Sequence, residues 1–394
     1  MDTIASILIY SLSFLASFIL CCLFENSLTA CNENKRYLYA KNLIAAIVIS
    51  LPVSIIFAVR GLDVGVDTRV YHNYFQLASR YYSLSDFLKV FGDSPLFWSL
   101  VYCGCHFFHS ETVYLILCQL IPSTIAIFVG VRLSSEVPVW QVYLIYLFWF
   151  YNDSMNGMRQ YMTVPLMLLG YLLLKDKKVI RGIIALAIGL GIHQGALVIV
   201  PIFIILLFVN FNHISIKQIL ITIVSIVVLA NAGIIFEKLY QTGILPYRYH
   251  MYLSAFFTHD TSQYNAYLIS HVGYWMYFEI LIRLALIVFT LIVIARGEHD
   301  SRYREYVFMI FVGTLIYAVG VFTYHTIYFQ RISVYFDAFL LYLLPLLDNR
   351  YKVYLGQGYK VKRIPFFSLI MSAIYWLLHV GVFNSGATIP FHFI

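Results

Sequence analysis

The chain has 394 residues, of which 61% are hydrophobic and only 11% charged, with a formal net charge of +7. Soluble domains carry roughly 25% charged residues, so a soluble fold is excluded, and repeated apolar runs of about 20 residues imply a polytopic helical membrane protein. The period-2 alternation of a membrane barrel is absent, and the basic residues sit in short loops between apolar runs, so topology rather than nucleic acid accounts for the charge.

In chain order, the apolar run 4–24 is read as a first span and not a cleaved signal, because Asp2 is the only early charge and no basic segment precedes it. The next loop carries Lys35, Arg36 and Lys41, which predicts a cytoplasmic loop and an N-terminus outside. A second span, 43–59, returns to the outer face at Arg60. Residues 60–112 form a predicted outer loop. Within it Tyr71, Tyr74, Phe75, Ala78 and Tyr82 recur at helical spacing against Arg80, Ser83 and Asp86, the pattern of an amphipathic helix lying in the interface. The apolar stretch 95–108 is short for a crossing and is read as a re-entrant or interfacial helix, which keeps the basic stretch 175–181 inside with the other basic loops.

Further spans are predicted at 113–131, 139–151, 159–174, 179–192, 195–209, 216–236, 271–295, 306–322, 332–348 and 365–384. That makes an all-α polytopic membrane protein with about twelve transmembrane helices plus outer interfacial or re-entrant helices, and with both termini outside. A second outer loop covers 237–270. Residues 1–394 read as a single integral membrane domain, without internal repeat or soluble module.

Chemistry-bearing residues gather at the ends of these runs. The stretch RGLDVGVDTRVYHNYF places Arg60, Asp63, Asp67, Arg69 and Tyr71 in a glycine-containing loop at a membrane boundary, a setting able to hold a charged ligand. Arg159 and Arg331 each begin a predicted span, where the helix macrodipole disfavours a cation by up to about 1 kcal/mol. An anion shared with the free N–H groups would explain them, and arginine offers planar, bidentate contacts to phosphate. Snorkelling to lipid phosphates is the bland alternative; with Arg60 on the same face, a ligand is preferred.

His193 falls in a tight outer turn, where it can act as a base or donate to a phosphate, although a lone histidine at a membrane edge is more often structural. Asp63 and Asp67 can serve as a base or simply pair with Arg60 and Arg69. Glu279 and Arg283 are spaced for an intramembrane ion pair. The aromatic loop 237–270, which includes Arg248, suits stacking on sugars, yet interfacial aromatics are expected without any ligand. Cys103 and Cys105 lack a second pair at zinc spacing, and His106 and His109 lack a matching carboxylate. No metal site is predicted.

Three elements in order carry a family resemblance. Arg60 is followed by GVDTRVY; NGMRQ begins a run through a basic turn to His193, Gln194, Gly195 and Ala196; and RISVYF occurs late in the chain. Together they resemble EpsG-type and Wzy-type polysaccharide polymerases, departing from the usual pattern at Val66 (commonly Thr) and Gly195 (commonly Ser). The resemblance implies an architecture like that of C-type lipid-dependent glycosyltransferases. It also implies polymerisation of undecaprenyl-pyrophosphate-linked oligosaccharide repeats, for O-antigen, capsule or exopolysaccharide, at the periplasmic face of a bacterial inner membrane.

The implied partners are that lipid-linked oligosaccharide, membrane lipids, and a chain-length regulator and flippase, with no nucleic acid and no cofactor. The carry-over covers Arg60, Asp67, Tyr71, Arg159, Gln160, His193, Arg331 and Tyr335. In the expected roles Arg60, Arg159 and Arg331 bind the pyrophosphate. His193, or second Asp67, is the base, and Tyr71, Gln160, Tyr335, Asp63, Arg69 and Arg248 position substrate. A glycan ligase using the same donor is the nearest alternative. A flippase fits less well, because it needs a cationic cavity through the midplane, where only Arg283 lies.

Overall fold

A computed structural model describes residues 3–29, 35–209, 262–295, 301–322, 326–355 and 367–393, with a few isolated positions between 211 and 243. The helices in chain order are α1 (Thr3–Thr29), α2 (Lys35–Ala58), α3 (Thr68–Ala78), α4 (Leu84–Val90), α5 (Pro95–His106), α6 (Glu111–Leu133), α7 (Val139–Phe150) and α8 (Met158–Lys175). They continue with α9 (Val179–Ile192), α10 (Ile199–Leu206), α11 (Ser262–Ala295), α12 (Ser301–Phe322), α13 (Thr326–Asp337), α14 (Leu340–Leu355) and α15 (Phe367–Trp376). No strand occurs among the described residues, only an isolated bridge between Arg60 and Phe393.

Among the described residues, five helical stretches are long and apolar enough to cross a membrane: α1, Ala40–Ala58 of α2, α6, Tyr274–Ile292 of α11, and α12. The chain is thus an all-α polytopic membrane protein. Several other apolar runs form shorter helices; the 14 residues of α9 rise about 21 Å at 1.5 Å per residue, against a hydrocarbon core of about 30 Å.

The chain divides into two compact units, residues 1–208 with 340–394, and residues 209–339. The first is built on α1, α2, α6, α7, α8 and α9. Lipid supplies no hydrophobic drive between helices, so close packing and interhelical hydrogen bonds hold them. Phe14 meets Tyr151 edge-on at 5.2 Å, Trp149 stacks on Tyr375 at 3.7 Å, and the Trp149 indole donates to Ser372 Oγ at 3.0 Å. Away from the site described below, Arg132 pairs with Asp176. Buried Asp348 accepts from Gln141 at 2.7 Å and from the Ser368 amide at 3.0 Å.

α8 and α9 form a tight antiparallel hairpin. A Cβ on Gly182 would lie 2.7 Å from Leu174 Cγ and 3.0 Å from its backbone nitrogen, and the backbone has nowhere to retreat. Gly182→Val is expected to destabilise the protein by about 1–3 kcal/mol, seen as a lowered melting temperature in detergent.

In the second unit, described by itself, the i,i+4 spacing of Glu279 and Arg283 delivers the pair, with Arg283 Nη2 donating to Glu279 Oε1 at 2.6 Å. Asp337 on α13 joins it through Arg283 Nη1 at 2.5 Å, and the Tyr317 hydroxyl donates to Glu279 Oε2 at 2.8 Å.

Two local expectations change. The amphipathic helix after Arg69 is two helices, because Ser83 caps α4 by accepting the Asp86 amide at 3.1 Å; Tyr82 lies in the break and is exposed. Arg331 does not begin a helix either. α13 starts at Thr326, since the polar and aromatic residues ahead of the apolar run are themselves helical.

Candidate functional site

The loop after α2 is fastened from several sides. Arg60 is fully buried: its guanidinium lies 4.0 Å from the Phe57 ring centroid, Nη1 donates to the Phe57 carbonyl, and Nε donates to Thr68 Oγ1 at 3.1 Å. Thr68 in turn donates to Val64 O at 2.6 Å. No carboxylate pairs with Arg60 among the described residues, and Nη2 has no hydrogen-bond partner among them. A buried guanidinium without a counter-charge costs several kcal/mol, so this position holds a charge the fold alone does not require.

The last residues of the chain clasp the same loop. The Gly61 amide donates to His392 O at 2.7 Å and the Gly65 amide to Ala387 O at 2.8 Å. Gly65 adopts φ +90°, and a Cβ there would sit 2.9 Å from Asn156 Oδ1, so both conformation and space demand glycine. Asn156 accepts the Val66 amide at 2.6 Å and donates to Gly386 O at 2.7 Å. Asp63, which is exposed, pairs with His392. The sequence offers no motif for this clasp, since its bonds run largely to backbone atoms.

Arg159 is the second residue of α8. Its Nη1 donates to Asp93 Oδ2 at 3.0 Å, and its guanidinium lies 5.2 Å from the Trp98 ring centroid and 5.8 Å from that of Phe97. Asp93 Oδ1 accepts from the Trp98 indole at 2.7 Å. Tyr71 meets Phe97 edge-on at 5.9 Å. Burial pushes its phenol up to about 12, and the neighbouring Arg159 opposes that rise. Thr68 and Tyr71 stand one turn apart on α3, so this short helix reaches Arg60 with one residue and Arg159 with the other. Sequence reasoning missed Asp93, which lies in the brief link between α4 and α5 without a distinguishing neighbour.

His193 follows α9 and is half-buried. Its amide donates to Gly189 O at 2.9 Å, and Thr163 of α8 reaches that same carbonyl at 3.4 Å, so the end of α9 and the start of α8 share one end of the hairpin. Asp67 is half-buried, Gln160 is buried, and Arg69 is exposed without an ion pair among the described residues. Arg60, Asp67, Tyr71, Arg159, Gln160 and His193 therefore lie at one end of the first unit. Arg331, exposed on α13, and Tyr335, buried with a hydroxyl lacking a hydrogen-bond partner among the described residues, belong to the second unit. Arg248 lies outside the described residues. No group of three or more His, Cys, Asp or Glu side chains able to hold a metal occurs among the described residues.

The sequence profile of the EpsG family matches residues 43–393, which takes in the loop, the hairpin, the second unit and the C-terminal clasp. No curated protein and no solved structure matches the chain.

Proposed function

This chain belongs to the EpsG family, and from that premise we propose that it is a polysaccharide polymerase, a membrane glycosyltransferase. Its substrates are undecaprenyl-pyrophosphate-linked oligosaccharide repeats, and it transfers the growing glycan to an incoming lipid-linked repeat at the periplasmic face of a bacterial inner membrane. In this proposal the chain crosses about twelve times with both termini outside, in the manner of C-type lipid-dependent glycosyltransferases, and works beside a flippase and a chain-length regulator.

One observation carries the proposal. Arg159 stands at the N-terminal end of α8, 5.2 Å from the Trp98 ring centroid and anchored through Nη1 to Asp93, at the end of the unit that also holds Arg60 and His193. A helix N-terminus and a fixed guanidinium together suit a phosphate oxygen.

The acceptor hydroxyl attacks the anomeric carbon of the donor sugar. The bond from that carbon to the pyrophosphate oxygen breaks, and its electron pair leaves with the lipid pyrophosphate. Arg159 takes up the negative charge that develops, with Arg60 acting from within the loop, so the step needs no metal ion; the sequence also assigns Arg331 a pyrophosphate role. The acceptor proton passes to His193, or to Asp67 in its absence. Tyr71, Gln160, Tyr335, Asp63, Arg69 and Arg248 hold the substrate or the arginines.

Purified protein in proteoliposomes, given the lipid-linked repeat alone, is expected to produce a ladder of glycans. Translocation without bond formation would make it a transporter, and transfer confined to a lipid A–core acceptor would make it a ligase. His193→Ala is expected to slow the ladder by about 10²-fold or more; wild-type rates across several pH values would move the base to Asp67.

A further inference from the structure

We propose that the carboxylate of Asp153, held by His379 and Tyr161, is a subsite for the acceptor sugar and takes hydrogen bonds from hydroxyls of the incoming repeat. The polymerase assignment supplies the class of ligand; the geometry stands apart from it.

Asp153 opens the short 3₁₀ turn between α7 and α8, on the approach to Arg159. Its Oδ1 lies 2.8 Å from His379 Nε2, and its Oδ2 accepts from the Tyr161 hydroxyl at 3.3 Å. The His379 side chain is 5% exposed and that of Asp153 is 18%, so the carboxylate is the member of the pair that meets an incoming molecule, with the imidazole behind it. No lysine or arginine pairs with Asp153 among the described residues. A carboxylate has about four lone-pair sites, and two are used by these partners. What remains suits neutral donors at fixed spacing, which is what adjacent sugar hydroxyls provide.

The surroundings hold the carboxylate still. His379 lies in the π-helical stretch Leu377–Val382, an interruption of the helical ladder that recurs at functional sites. Its ring stacks on Tyr375 at 5.4 Å, and its carbonyl accepts the Ser385 amide at 2.9 Å. Asn384 and Ala387 take positive φ values of 45° and 50°, a conformation non-glycine residues adopt under constraint. Gly386, itself buried, closes over Oδ1: a Cβ there would lie 3.6 Å from Asp153 Oδ1 and 3.0 Å from Asn156 Nδ2.

A purely structural tie between α15 and the 152–157 turn does not require this pair. The Trp376 indole already donates to Asn152 Oδ1 at 2.8 Å, Asn152 donates to Thr388 Oγ1 at 3.0 Å, and Asn156 donates to Gly386 O at 2.7 Å. Neutral groups fasten the two segments, so an ionisable pair at the same place answers a different need. Asn156 also carries the Val66 amide, which sets the subsite beside the loop that bears Asp67.

The test compares two probes on the full-length protein in detergent: undecaprenyl pyrophosphate, and the lipid-linked repeat extracted from cells lacking the polymerase. Asp153→Asn and His379→Gln are expected to weaken binding of the glycosylated lipid about tenfold or more, with binding of bare undecaprenyl pyrophosphate unchanged. Tyr161→Phe, which retains the acid–imidazole pair, is expected to weaken the glycosylated lipid about two- to threefold and keeps the test sharp where the other variants unfold. Equal losses on both probes, or retained discrimination in a folded Asp153→Asn protein, overturn the subsite alone. Wild-type protein that binds the two probes equally overturns the polymerase assignment and the subsite together.

Discussion

Arg159→Lys is expected to cut glycan polymerisation by about two to three orders of magnitude, corresponding to the roughly 3–4 kcal/mol that one donor to a developing oxyanion supplies. The expectation follows from how the guanidinium is held. Its Cζ lies 5.2 Å from the Trp98 ring centroid, and Nη1 is committed to Asp93, so the guanidinium is held in place. A lysine ammonium keeps the charge and loses the forked donors. Chain-length ladders from cells lacking their own polymerase, complemented at matched expression, provide the measurement. A full-length ladder from Arg159→Lys would defeat bidentate recognition. Asp93→Asn is expected to have a smaller effect, because the cation and its contact with the Trp98 ring remain.

Removing Arg283 should produce the largest loss of stability. The side chain is 7% exposed and stands between Glu279 and Asp337, which are 4% and 6% exposed. Arg283→Met leaves two acids buried without their cation, and breaking a buried pair from one side costs about 3–5 kcal/mol. The melting temperature and yield in detergent report the loss. Adding Glu279→Gln and Asp337→Asn to Arg283→Met is expected to restore much of it, since the penalty comes from stranded charge and not from a missing attraction. A triple variant no better than the single one would locate the effect in packing against the Tyr317 ring, which lies 4.6 Å from the guanidinium.

Much of the site was legible in the sequence, for reasons that are local. Apolar runs alternate with loops, so the end of one run shares a side of the membrane with the start of the next run and of the run three places later. That alternation placed Arg60, Arg159 and His193 together without any tertiary information. The same short-range logic gave Glu279–Arg283, because residues four apart on a helix are neighbours.

The partners chosen over long separations were not legible. Asp93 meets Arg159 across 66 positions and Asp337 meets Arg283 across 54; both carboxylates stand in ordinary sequence. The clasp of 384–393 over the 60–66 loop is written in backbone atoms that every sequence possesses. Asp153 and His379, 226 positions apart, become a pair only when α15 packs beside the turn before α8.

By itself the sequence determined the solvent and the helical class, because the cost of moving a residue from water to lipid belongs to that residue. It also brought Arg60, Arg159 and His193 to one end of the first unit. The tertiary structure alone decided which buried charge is matched, by what and at what distance, because each such pairing depends on how several helices pack at once.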